Sequence, residues 1–72
     1  MVKNEKDKLK ALIKYWITHN QDHSAEFKEW ADKAEAMGES EIAGNIQQAI
    51  SKMDKATALF TYSLKILNGE GK

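Results

Sequence analysis

The chain has 72 residues, with 11 basic and 11 acidic side chains, no cysteine and no proline. That length makes one helical domain, residues 1–72, with room for only a modest core. Without cysteine, disulfides and thiolate metal sites are excluded. Every basic residue is lysine and the net charge is zero, which disfavours nucleic-acid binding, a task that draws on positive surfaces and guanidinium forks.

Met1 to Lys8 is charged and lacks the apolar stretch of a signal peptide, and the longest apolar runs fall far short of a membrane span. A cytoplasmic location with no membrane contact is therefore expected. Lys3, Lys6, Lys8, Lys10 and Lys14 crowd the start and read as a solvated face. Lysines there oppose the helix dipole, so the first turn is expected to fray.

Seam-compatible residues then recur at Leu9, Ile13, Trp16, Asn20, His23, Phe27, Trp30, Ala34 and Met37. The spacing alternates four and three, the mark of a heptad seam on one helix over about residues 5–37. A rival reading breaks this helix near Thr18, where Thr18 and Gln21 fit a capping box, and yields a three-helix bundle. Met37-Gly38-Glu39-Ser40 supplies a C-terminal glycine and a serine N-cap. A second helix, about residues 41–67, carries a seam at Ile42, Ile46, Ala49, Met53, Ala56 and Phe60. A companion stripe at Ala43, Ile50, Thr57 and Leu64 widens it. Asn68-Gly69 ends it.

The fold expected is all-α, an antiparallel helical hairpin. Its first helix would reach roughly 50 Å at 1.5 Å per residue, long for an isolated pair. Pairing of two hairpins into a homodimeric four-helix bundle supplies the missing cover. Gly44, off the main seam, would suit close approach of a second hairpin.

The chemistry concentrates around the two histidines. His19, His23 and Glu26 share a helix face through spacings of four, three and seven. They suit zinc, nickel, cobalt or iron, and a dimer axis could bring two copies together. The residues between the histidines are Asn20, Gln21 and Asp22, so the metalloprotease motif with its intervening glutamate is absent. The order His23-Ser24-Ala25-Glu26 reverses the Glu-x-x-His of di-iron bundles. Ser24, Ser40, Ser51 and Ser63 belong to no serine–histidine–acid arrangement. No glycine-rich phosphate loop exists, and no enzymatic activity is expected.

The plainer account makes Asn20 and His23 polar members of the packing seam that fix register or oligomeric state. Trp16, Phe27, Trp30, Met53 and Phe60 then complete the core or interface. Tyr15 and Tyr62 fall at the stripe edges, and Met37 and Met53 read as gap-fillers.

The segment Trp16 to Ala31 carries the pattern Trp-Ile-x-His-Asn-x-x-His-x-x-x-Phe-x-x-Trp-Ala. It resembles a pattern of small uncharacterised prokaryotic helical domains. The resemblance implies that the histidine and aromatic positions form one unit, and no activity carries over with it. Two functions follow: a helical interaction or oligomerisation module with a buried His/Asn layer, partnered by a second copy or another helix, and, as the alternative, a metal-handling protein using His19, His23 and Glu26.

Overall fold

The computed structural model describes residues 2–69, which form α1 (Val2–Ala36) and α2 (Ser40–Leu67). The two helices fold back on each other as an antiparallel hairpin, with Trp16 against Phe60 and Ser24 against Asp54. α1 begins at Val2 rather than near residue 5. Glu5 in its first turn has the sign that the helix dipole favours there.

The helix runs unbroken through Thr18, so the three-helix alternative is overturned. A capping box serves N–H groups that lack a preceding turn. Here Lys14 to Ile17 continue the helix and supply the carbonyls instead.

The turn is a Schellman motif. Gly38 has φ +85, the Glu39 N–H donates to the Ala34 carbonyl at 2.9 Å, and the Gly38 N–H donates to the Glu35 carbonyl at 3.0 Å. Glu39, not Ser40, is the N-cap of α2: its carbonyl accepts from the Ala43 N–H at 2.9 Å, and its side chain makes no capping hydrogen bond. Ser40, already helical, donates through Oγ to the Glu35 carboxylate at 3.1 Å and ties the two helices together across the turn. α2 closes at Leu67, with Asn68 as C-cap and Gly69 at φ +80.

The packing seam is displaced from the one read in the sequence. On α1 the buried or half-buried residues that follow a strict heptad are Lys10, Ile13, Ile17, Asn20, Ser24, Phe27, Ala31 and Ala34. On α2 they are Ala43, Ile46, Ile50, Met53, Thr57, Phe60, Leu64 and Leu67. Ile13, Asn20, Phe27 and Ala34 are common to both seams of α1, and Ile46, Met53 and Phe60 to both of α2. What differs is the flank. The companion stripe of α2 faces α1, and the large members Leu9, Trp16, Trp30 and Met37 of α1 stay exposed. The distance between packed helices is set by the side chains at the contact, and small ones allow the closest approach. Ser24 and Ala31 let the helices come closer than His23 and Trp30, at the corresponding positions of the other flank, would.

The result is a single layer of helices, with Cα extents of 54 × 22 × 12 Å. Among the described residues the buried ones are Ile13, Ala31, Ala34, Ala43 and Thr57, four of the five small. Thr57 satisfies its hydroxyl locally, donating to the Met53 carbonyl at 2.9 Å.

Two glycines give opposite predictions. Nothing lies within 4 Å of a Cβ added at Gly38 or Gly44, but only Gly38 has positive φ. Gly38→Ala should cost about 1–2 kcal/mol in urea unfolding, because a left-handed residue gains a Cβ. Gly44→Ala should add about 0.5–1 kcal/mol, because it removes backbone freedom from a helix interior. Loss of stability in Gly44→Ala would instead mark a close neighbour at that position.

Candidate functional site

The two faces of the hairpin differ in chemistry. On both helices the stripe three residues after the common positions is not part of the seam: Trp16, His23 and Trp30 on α1, and Ala49, Ala56 and Ser63 on α2. Because the helices are right-handed and antiparallel, the same offset falls on the same side of the hairpin. The Trp16–Phe60 ring contact, centroids 5.5 Å apart, crosses that side. Leu9, Leu12, Ile42, Leu59 and Ile66 extend it as exposed apolar residues. Trp30 is 51% exposed, with the Lys33 ammonium 4.3 Å above its ring.

The other face is polar. Ser24 Oγ donates to Asp54 Oδ1 at 3.0 Å, beside an open groove lined by Lys28, Ala31, Asp32, Gln47, Ile50 and Asp54. The groove brings two carboxylates, an ammonium and an amide together without a nucleophile, an arrangement suited to solvation.

His19 and His23 lie on the apolar side, near the middle of α1. Their Nε2 atoms are 3.0 Å apart. The rings belong to a ladder with a spacing of four residues. Tyr15 stacks on His19 (centroids 5.4 Å, 22° between planes), His19 meets His23 edge-on (4.3 Å, 81°), and His23 stacks on Phe27 (5.7 Å, 28°). Each step of four advances about 40° around an α-helix. The ladder therefore winds from exposed Tyr15 to half-buried Phe27 at the seam.

Glu26 Oε1 is 3.6 Å from His23 Nδ1, on the opposite edge of the ring from the nitrogen that faces His19. The Glu26 carboxylate thus faces the Nδ1 edge of His23, and one Nε2 donates to the other across the 3.0 Å gap, the direction following the ring tautomers. Among the described residues, no group of three or more His, Cys, Asp and Glu side chains is arranged to hold a metal ion. Asn20 is half-buried at a common seam position, Met53 and Phe60 are half-buried opposite, and the His23 side chain remains 40% exposed.

The ladder and the Ser24–Asp54 bond are absent from the sequence reading. Ring side chains at 15, 19, 23 and 27 form a four-residue repeat that could have revealed the first. The second joins positions 30 apart and needed the register of the hairpin.

The profile of DUF8180, a domain of unknown function, matches residues 9–67. The chain belongs to the DUF8180 family. The matched span runs from Leu9, one residue before Lys10 opens the seam, to Leu67, the last residue of α2, so it coincides with the packed part of the hairpin. No curated protein and no solved structure matches the chain. Among the described residues, no helix is long and apolar enough to cross a membrane.

The site's energetics separate packing from surface contacts. Phe60→Ala, which removes the ring beneath Trp16, should cost about 2–4 kcal/mol in urea unfolding. Glu26→Gln should change stability by less than about 0.5 kcal/mol, because both partners of its ion pair are open to water. A larger loss in Glu26→Gln would mean that the carboxylate is covered in solution.

Proposed function

We propose that this domain is a homodimerising helical module without catalytic chemistry, in which two hairpins join through their apolar faces into a four-helix bundle. The observation that carries this reading is surface area. The chain exposes 5688 Å², whereas a compact protein of its 8.2 kDa would expose about 4,500 Å². The excess, about 1,200 Å², reflects a single layer of helices, and it leaves room for the ~800 Å² that each partner gives to a standard interface. The radius of gyration, 16.1 Å against about 11 Å for a compact chain of this length, agrees.

A second copy suits this face better than a foreign helix because the face is self-complementary. Its α1 flank is large and its α2 flank is mostly small. A two-fold axis parallel to the helices lays α1 of one copy antiparallel over α2 of the other and keeps every residue at its own height. With Trp16 level with Phe60 and Ser24 with Asp54, Trp16 would sit between Ala56 and Ser63 of the second copy. His23 would sit between its Ala49 and Ala56, and Trp30 between its Ile42 and Ala49. Each large side chain then meets a gap, as knobs-into-holes packing requires. Asn20 and His23 become a polar layer within the interface.

Light scattering of the intact chain at micromolar concentration should give the mass of two chains, with a melting temperature that rises with concentration. Ala56→Trp, which fills a gap, should shift the mass to one chain, whereas Gln47→Trp on the polar face should leave the dimer intact. A single-chain mass for the unaltered protein would end the dimer reading. His23→Leu should raise the melting temperature or change the oligomeric state. An unchanged dimer of lower stability would count against a register role for His23.

A further inference from the structure

We propose that His19 and His23 form a bidentate chelate for a divalent transition metal of the nickel, cobalt or copper class, bound through the two Nε2 atoms. Both ligands come from one helix, so the proposal stands apart from the dimer reading and survives its failure.

The geometry comes first. Two nitrogens in neighbouring positions of a square or octahedral ion, with bonds of about 2.0–2.1 Å, are about 2.8–3.0 Å apart, and a tetrahedral pair is about 3.3–3.4 Å apart. The Nε2 atoms are 3.0 Å apart while the ring centroids are 4.3 Å apart. The nitrogens therefore lean toward each other from rings set further back, as a shared ligand requires. The separation favours cis coordination over a tetrahedral zinc site.

Preorganisation comes second. The Tyr15 and Phe27 rings stack on the two imidazoles and limit their rotation. Glu26 lies at Nδ1 of His23, not at the chelating edge. A carboxylate beside the far nitrogen of a ligating histidine helps to orient its ring toward the metal. Glu26 is accordingly a positioning residue rather than a third ligand. Coordination needs both Nε2 lone pairs, so the proton between the rings moves to Nδ1 of the ring that carries it, and no net charge is lost from the protein. Water completes the coordination sphere from the side of His19, which is exposed.

The test uses the untagged full chain titrated with nickel chloride, followed by calorimetry and by NMR of the ring protons. Saturable binding of one ion per chain is expected, with paramagnetic broadening centred on His19, His23, Tyr15 and Phe27. His19→Ala and His23→Ala should each abolish it, and Glu26→Gln should weaken it by roughly tenfold. Zinc should bind more weakly than nickel. Binding that survives His23→Ala, broadening centred on Asp32 and Asp54, or no saturable binding at neutral pH would each overturn the chelate. The mass in solution, measured on the same samples, keeps the two readings separate: a single-chain mass with binding intact removes only the dimer, and a dimer without binding removes only the chelate.

Discussion

Two helices side by side share one line of contact, and each helix here carries apolar residues for two. That mismatch governs the rest of the structure. The hairpin spends Ile13, Phe27, Ala31 and Ala34 of α1, with Ala43, Ile46, Thr57 and Phe60 of α2, on the single seam available to it. Trp16, Trp30, Leu9 and Ile42 are left at or beyond a third of their full exposure. Apolar area removed from water contributes about 25 cal/mol per Å², so an uncovered face of this size is a large unused stabilisation. The proposed association of two hairpins would cover that face.

The division of labour between the flanks follows from size. Small residues permit close helix approach and therefore fall inside the hairpin. Large rings stand outside it, where they project far enough to enter gaps on another surface. The same arrangement lifts the histidines out of the hairpin interior. His23 occupies the flank with the tryptophans, so its chemistry faces either solvent or a second chain. The Schellman turn at Gly38 and the Ser40–Glu35 hydrogen bond set the register that aligns these stripes.

Much of the fold was legible in the sequence because its signals are local. Uninterrupted four–three spacing, the absence of proline and the glycines at 38 and 69 dictate two helices and a short turn. The ends of α2 lie within one residue of those expected. The capping role expected of Ser40 falls to Glu39, because the closed turn decides which carbonyl begins the helix. The convergence of His19 with His23 was readable from i,i+4 geometry. The position of Glu26 behind the ring was not, since spacing names a face but not the edge of an imidazole.

The sequence by itself determined the helices, their turn and the existence of a ring-rich, two-histidine segment, because periodicity and backbone preference act over a few residues. Only the tertiary structure decided which of two overlapping heptads became the interface. Ile13, Asn20, Phe27 and Ala34 serve either one. The choice between Ala31 and Trp30, or Ser24 and His23, as their seam partners depends on how closely a second helix can approach. That is a property of two surfaces together, and neither stripe carries it alone.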